Sequence, residues 1–227
     1  MALCCRQGYC SALGKSLYIQ SRGTGPEAGE PLNFTLGLQG AHTIMEKHMT
    51  HIIPGNVIEH KPLESIQGAC VTIPHPTQLT HLQFRRFAGC PMCNLHIQSF
   101  IRRHSDLVAH GIQEVAVFHS SKKAMLRHHS DAPFPLIADP TKSLYRSFGV
   151  ESSIMSVLNT KALRAAITGL WRHGVGLPGF GESALGLPAD FLIDSSGRVL
   201  ASKYGVHAYD HWGVNELLML AQNVHQP

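Results

Sequence analysis

This sequence has few charged residues and lacks any long hydrophobic run. Charged side chains make up 15% of its 227 residues, and its apolar stretches are far shorter than the roughly 20 residues that cross a membrane as a helix. We therefore expect no membrane-spanning segment. Glycine and proline are dispersed rather than periodic, which excludes collagen-like and low-complexity chains.

The remaining composition suits a globular protein. Apolar residues make up 44% of the chain, and a protein of this length can bury roughly 70% of its unfolded-state surface, enough for one full hydrophobic core. Lys and Arg number 19 against 15 for Asp and Glu, and the basic residues occur in pairs rather than in runs. This mild excess gives no support to a nucleic-acid partner.

Six cysteines are present, and three of them lie within the first ten residues. Their spacing differs from the framework of a small secreted disulfide-linked domain, which favours a reducing, cytoplasmic location. Residues 1–48 lack the apolar region of a secretory signal and show little periodicity, so we expect a weakly ordered N-terminal extension. Residues 49–227 then form the folded domain, and Met49 is a candidate alternative start.

A strand that runs into a helix is predicted around the sequence Cys-Pro-Met-Cys. Residues 79–87 are rich in aliphatic and aromatic side chains, as in a strand, and Pro91 suits the first position of a helix. Apolar residues then recur at helical spacing until Gly111. The pattern places Cys90 at the start of this helix and Cys93 one turn later on the same face.

Strands and helices alternate beyond this point, which favours an α/β fold. Residues 112–118 form a β-branched strand, and Ser120-Ser121 opens a basic helix that runs through residue 129. After the turn at Asp139-Pro140, a short helix ends at Gly149.

The last third of the chain is predicted to contain an insertion and a hairpin. A helix at 159–172 and a Gly-rich loop at 174–184 come first, and they are candidates for a lid or a partner surface near the cysteines. A hairpin over 187–205 follows, with a Ser-Ser-Gly turn between its strands. Asp210 is expected to cap the final helix.

The two cysteines suit thiol chemistry. The thiolate is the reactive form, and an ordinary thiol with a pKa of about 8.5 is mostly protonated at neutral pH. A helix start supplies unpaired N–H groups and a partial positive charge, to which Arg85 or Arg86 adds a cation. Neighbouring strand residues point to opposite faces, so we expect one arginine to face the thiol and the other to reach solvent.

A half zinc site is the alternative interpretation of these cysteines, because His96 follows three residues after Cys93. A structural zinc site needs four ligands, and no second cluster of cysteine or histidine follows in the sequence. We therefore expect no metal. Cys70 is interpreted as a small buried residue.

Three stretches follow one another along the chain: Cys-Pro-Met-Cys at 90–93, FPLIADP followed by LYRSFGV at 134–150, and PADFLIDSSGRV at 188–199. In this order they resemble the alkyl hydroperoxide reductase/thiol-specific antioxidant (AhpC/TSA) group, the peroxiredoxin-like branch of the thioredoxin superfamily. The resemblance covers about residues 55–224. It implies a thioredoxin-like fold, with a mixed central sheet flanked by helices and a helical, Gly-rich insertion before the last hairpin.

The chain departs from the family pattern in front of Cys90. Typical peroxiredoxins carry a Pro and a Thr shortly before the peroxidatic cysteine, and neither occurs in residues 83–89. The departure favours a dithiol exchanger, because the missing hydroxyl would orient a peroxide. Pro188 matches the place where thioredoxins keep a cis-proline beside the dithiol.

The resemblance implies a thiol-dependent antioxidant oxidoreductase that reduces hydroperoxides or disulfides, with Cys90, Cys93, Arg85, Arg86 and Pro188 in its site. Cys90 is expected to attack the substrate, and Cys93 to resolve the product as an internal disulfide. An external thiol, either glutathione or a thioredoxin-type protein, would reduce that disulfide, and no cofactor is expected. The alternative is a non-catalytic thioredoxin-fold module that senses redox state or binds a metal.

Overall fold

The computed structural model describes residues 51–150 and 186–224. The extension at 1–48, the helix at 159–172 and the Gly-rich loop at 174–184 lie outside the described residues and stay predictions. The described part of the chain contains seven strands and five helices. In order they are β1 (Lys61–Glu64), β2 (Cys70–Ile73), β3 (Leu79–Arg85), α1 (Pro91–Arg102), α2 (His104–Ala109), β4 (Ile112–Phe118), α3 (Lys122–His129), β5 (Leu136–Ala138), α4 (Ser143–Ser147), β6 (Ala189–Ile193), β7 (Val199–Tyr204) and α5 (Val214–Val224).

The strands form a central sheet and a separate pair. The central sheet has five strands in the order β5-β4-β3-β6-β7, and the pair consists of β1 and β2. Strand β3 runs parallel to β4 and antiparallel to β6, so the sheet is mixed. The prediction of an α/β fold with a mixed central sheet is therefore confirmed.

Strand β3 lies in the middle of the sheet, and all seven of its residues are buried. Successive side chains of a strand point to opposite faces. On one face, Leu82 and Phe84 join an apolar cluster that includes Phe148 and Phe191. The other face carries polar side chains of β3 and packs beside a cluster to which α1 and α5 contribute the most side chains.

The sheet positions the cysteines through the connection from β3 to α1. Because β3 is central and parallel to β4, the carboxyl ends of both strands lie at one edge of the sheet. Helix α1 starts at that edge with Pro91 and buries Cys93, Ile97 and Phe100 against the sheet. In the described ranges, no helix is long and apolar enough to cross a membrane.

Several element boundaries agree with the sequence prediction, and two details differ. The single helix expected from Pro91 to Gly111 is divided into α1 and α2 at Arg103, whose backbone leaves the helical region. Asp210 does not cap the last helix, which begins at Val214. Its carboxylate instead accepts a hydrogen bond from the Val206 N–H at 3.0 Å and closes the turn after β7.

Candidate active site

Cys90 lies at the junction between strand β3 and helix α1. It is the last non-helical residue, and Pro91 follows as the first helical one. The Cys90 N–H donates to the Phe87 carbonyl at 3.0 Å, and the Cys90 carbonyl accepts the first hydrogen bond of the helix, from Asn94 at 2.9 Å. The Cys90 sulfur therefore lies at the positive end of the helix, beside the backbone N–H groups of Met92 and Cys93.

Cys93 lies one helical turn further on and contacts Cys90 through its thiol. Both are free cysteines, and their residues are only 1% and 4% exposed. The Cys93 thiol donates a hydrogen bond to the Cys90 sulfur. The sulfurs of the Cys-Pro-Met-Cys sequence therefore face each other, as the predicted one-turn spacing requires.

This arrangement separates the acidities of the two thiols. The hydrogen bond from Cys93, the positive charge of Arg86 and the backbone N–H groups of Met92 and Cys93 lower the pKa of Cys90 to about 7, although burial opposes them. Burial, together with the charge and hydrogen bond of Cys90, raises the pKa of Cys93 well above its usual value. Near neutral pH, a substantial fraction of Cys90 is therefore the thiolate, whereas Cys93 stays protonated.

Arg86 supplies the cation beside Cys90. Its Nη1 lies 3.7 Å from the Cys90 sulfur, and its guanidinium carbon lies 5.8 Å from the centre of the Phe87 ring. The residue is almost fully buried, so water screens this charge only weakly. Arg86 is therefore the one of the two predicted arginines that faces the thiol.

Arg85 is directed away from Cys90 but does not reach solvent, so the expectation that the second arginine is solvated is wrong. Its side chain is 1% exposed and forms an ion pair with the buried carboxylate of Asp190. It also donates to the Phe84 carbonyl at 3.2 Å and lies 2.9 Å from Nε2 of His96. A buried partner of opposite charge was not visible in the local strand pattern.

Arg85 belongs to a buried polar network on the helix-covered face of the sheet. Its members occupy the inward positions of three neighbouring strands and of α1, and they are His81, Gln83, Arg85, His96, Glu114 and Asp190. His81 Nδ1 lies 2.7 Å from Glu114, and its Nε2 lies 3.3 Å from Asp190. Gln83 links Glu114 to Arg85 through its amide. Two carboxylates therefore meet two basic side chains inside the core.

The network fixes the charges of its members. Burial opposes protonation of His81, but Glu114 and Asp190 overcome it and raise the pKa of His81 to about 9. Burial also opposes ionisation of Asp190, yet Arg85 and His81 hold its pKa well below its usual range. His96, by contrast, is kept neutral, since burial and the neighbouring His211 and Arg85 lower its pKa.

His96 does not join the cysteines in a metal site. Its ring contacts Arg85 and lies 3.7 Å, centre to centre, from the ring of His211. Within residues 51–150 and 186–224, no group of three His, Cys, Asp or Glu side chains is arranged to hold a metal ion. Cys70 is also not where it was predicted: it is exposed at the start of β2 and takes part in a disulfide bond.

Pro188 directly precedes β6 and lies opposite the end of β3. Ala189 pairs with Phe84, so the next step of the register brings Pro188 beside Arg85. Its carbonyl accepts from the Gly205 N–H at 2.9 Å. The cis peptide bond of the described residues is Ile73–Pro74, so the Leu187–Pro188 bond is trans, unlike the cis-proline that thioredoxins keep at this place.

Three polar residues near the cysteines were missed by sequence reasoning. Ser120 accepts a hydrogen bond from the Ala88 N–H at 2.8 Å, and Nε2 of His129 lies 3.2 Å from the Ala88 carbonyl. Tyr145, from α4, donates its hydroxyl to the carbonyl of Arg85 and lies 2.9 Å from that of Val117. These residues are distant from Cys90 in sequence. Only the parallel pairing of β3 with β4 shows that they contact the backbone just before Cys90.

Comparison with known proteins places the chain near one family. The sequence model of the AhpC/TSA antioxidant enzymes matches residues 99–207, a range that begins just after the two cysteines. No curated protein matches the chain in sequence.

Solved structures resemble the described fold more extensively. Peroxidoxin BcpB from Mycobacterium tuberculosis is 15% identical, with 78% of this chain and 100% of that chain covered and a TM-score of 0.58. A cysteine-to-serine mutant of PrxQ from Xylella fastidiosa is 17% identical, with 78% and 99% covered and a TM-score of 0.58. AhpC from M. tuberculosis is 14% identical, with 78% and 95% covered and a TM-score of 0.54. The thioredoxin-like fold and the resemblance to the AhpC/TSA family are thereby confirmed.

Proposed function

We propose that this relative of the AhpC/TSA antioxidant enzymes is a thiol-dependent oxidoreductase that reduces small hydroperoxides with Cys90 and Cys93. The observation that carries the proposal is the environment of the Cys90 sulfur. Three kinds of donor meet there: the guanidinium of Arg86, the Cys93 thiol, and the N–H groups at the start of α1. Such donors stabilise a thiolate, and a thiolate is what attacks a peroxide or a disulfide.

The first step is the attack of the Cys90 thiolate on one peroxide oxygen. The S–O bond forms while the O–O bond breaks, so Cys90 becomes a sulfenic acid and the leaving oxygen takes up a proton to become water or an alcohol. Arg86 lies where it stabilises the negative charge that moves from sulfur to oxygen. No cofactor is needed for this two-electron step.

The second step joins the two cysteines. Cys93 loses its proton and attacks the Cys90 sulfur, the S–O bond breaks, and the leaving hydroxide combines with that proton to form water. The product is a Cys90–Cys93 disulfide. An external thiol, glutathione or a thioredoxin-type protein, then supplies two electrons by thiol–disulfide exchange and regenerates both thiols. A reducing compartment such as the cytoplasm suits this cycle, whereas the disulfide bond of Cys70 is more typical of an oxidising one.

Burial favours a small oxidant over a protein disulfide as the first substrate. A residue only 1% exposed can be reached by a peroxide more readily than by another protein chain, and the same argument favours glutathione over a thioredoxin-type protein as the reductant of the resulting disulfide. General dithiol exchange is the second candidate, since the chain has Pro91 between its cysteines and lacks the Pro and Thr of typical peroxiredoxins before Cys90. A metal-binding module has less support, because His96 is directed into the polar network.

Stopped-flow mixing of the reduced protein with hydrogen peroxide, and separately with a small aromatic disulfide, tests this proposal. We expect Cys90→Ser to abolish both reactions, and Cys93→Ser to accumulate a sulfenic acid that a dimedone reagent traps. A Ser195→Ala variant, changed at an exposed turn, serves as the control and should behave as the parent protein. Full peroxide turnover by Cys90→Ser would refute the assignment.

A further inference from the structure

A single peptide group lies between Tyr145 and Cys93. Its carbonyl belongs to Arg85 and accepts a hydrogen bond from the Tyr145 hydroxyl. Its N–H belongs to Arg86 and donates to the Cys93 sulfur. Because a trans peptide group is planar, with its C=O and N–H pointing in opposite directions, the orientation of one fixes the orientation of the other.

The Tyr145 hydroxyl is itself held in place. Asp139 receives hydrogen bonds from the N–H groups at the start of α4, including that of Leu144 at 2.8 Å, and so fixes the helix that carries Tyr145. The ring packs edge-on against Phe84, with 5.0 Å between ring centres, and the residue is 4% exposed. The hydroxyl also lies 2.9 Å from the Val117 carbonyl, so it touches the ends of both β3 and β4.

We propose that Tyr145 is a positioning residue for the resolving step: its hydroxyl holds the Arg85–Arg86 peptide so that the Arg86 N–H stabilises the Cys93 thiolate as it attacks oxidised Cys90. This inference rests on the proposed function of the two cysteines. It assigns Arg86 two separate roles, since its guanidinium serves Cys90 and its backbone serves Cys93. A hydrogen bond to a carbonyl also polarises the amide and strengthens its N–H as a donor.

Cys93 is the thiol that requires such help. Burial raises its pKa, so the thiolate needed for the attack is a minor species at neutral pH. In the resolving step the S–S bond forms, the S–O bond of the Cys90 sulfenic acid breaks, and the departing hydroxide takes the proton that Cys93 released. Tyr145 neither gains nor loses a proton in this step, because burial raises the pKa of its hydroxyl and keeps it protonated.

Rapid-quench mass spectrometry of Tyr145→Phe separates the two steps after mixing with hydrogen peroxide. We expect the Cys90 sulfenic acid to form at an unchanged rate. The disulfide should form roughly fivefold to tenfold more slowly, because the variant loses the contribution of about one hydrogen bond. Tyr204→Phe is the matched control, because its hydroxyl also donates to a backbone carbonyl, that of Phe148 at 2.6 Å, away from the cysteines. An unchanged disulfide rate, or equal slowing of both steps, would overturn the proposal.

A second readout needs no peroxide activity. In a Cys90→Ala background, the pH dependence of Cys93 alkylation should shift to higher pH when Tyr145→Phe is added, and should not shift with Tyr204→Phe. No shift would refute the role of Tyr145, whereas a parent protein inert to peroxide would refute the proposed function instead. If Tyr145→Phe fails to fold, global replacement of tyrosine by fluorotyrosine, a stronger donor of nearly the same shape, should accelerate disulfide formation, and an unchanged rate would count against the proposal.

Discussion

The Nη1 atom of Arg86 lies 3.7 Å from the Cys90 sulfur, inside the protein. Its neighbour Arg85 is buried equally deeply but pairs with Asp190 on the helix-covered face of the sheet. Anchoring one arginine in this way fixes the end of β3, and the next residue is thereby directed towards the thiol. The acidity of Cys90 and the stability of the core are therefore connected through two consecutive residues.

Replacement of Arg86 by Met should make Cys90 less acidic. The variant removes a buried positive charge that lowers the pKa of this thiol, so the pH midpoint of its alkylation should move from about 7 towards the ordinary value of about 8.5. Arg102→Met, at an exposed position of α1, provides the matched control and should leave the midpoint in place. Equal midpoints in the two variants would show that Arg86 does not set the acidity.

Cys93→Ala and Cys93→Ser should differ in their effect on Cys90. The Cys93 hydrogen bond is the largest influence that lowers the pKa of Cys90, and alanine has no donor to replace it. We expect the alkylation midpoint of Cys90 to rise in Cys93→Ala and to stay nearer the parent value in Cys93→Ser, whose hydroxyl still donates. If both variants have the same alkylation midpoint, the lowered pKa of Cys90 is due to the helix start and Arg86 alone.

Arg85→Met should destabilise the fold strongly. It leaves the carboxylate of Asp190 buried without its main partner, and breaking a buried ion pair costs roughly 3–5 kcal/mol. The free energy of unfolding, measured with urea, should recover much of this loss in the Arg85→Met/Asp190→Leu double variant. As a control, Arg103→Met breaks the half-exposed pair with Asp106, for which the loss should stay below about 1 kcal/mol. Similar losses in both single variants would contradict a structural role for the network.

The network also predicts how stability depends on pH. The pKa of His81 is raised from 6.5 to about 9 in the folded protein, so its contribution is complete below pH 6.5 and is lost as the pH rises through 9. The loss should be on the order of 3 kcal/mol. His81→Gln should show a flatter decline over this range, while His128→Gln, an exposed control, should follow the parent. Parallel curves for parent and His81→Gln would refute a charged His81.

Below about pH 6.5, the stability of the fold should instead decrease as the pH falls. Burial and the charge of Arg85 lower the pKa of His211 to about 3, and His96 is also held neutral. When the pH falls below about 6.5, the unfolded chain binds protons at these residues while the folded chain does not, and stability decreases. His211→Gln should reduce the decrease between about pH 6.5 and pH 4.5 in urea unfolding, and an unchanged slope would contradict a neutral His211.

The sequence predicted those parts of the site that depend on neighbouring residues. The strand predicted at 79–87, the helix start at Pro91 and the proximity of Cys90 to Cys93 follow from local patterns of hydrophobicity and spacing. The polar network does not, because His81, Glu114 and Asp190 meet only when three strands pair in register. A strand pattern indicates that Arg85 and Arg86 face opposite sides, but it cannot show that a carboxylate 105 residues away keeps Arg85 in the core. Tyr145 was missed for the same reason.

The most direct test of the account is the pH dependence of the reaction between hydrogen peroxide and the reduced protein, with the product mapped by mass spectrometry of its peptides. We predict a rate that rises with a single midpoint at a pH of about 7, as the Cys90 thiolate forms, and a product in which Cys90 is joined to Cys93. A midpoint near the ordinary thiol value of about 8.5, or a peroxide reaction that leaves these two cysteines as thiols, would contradict it.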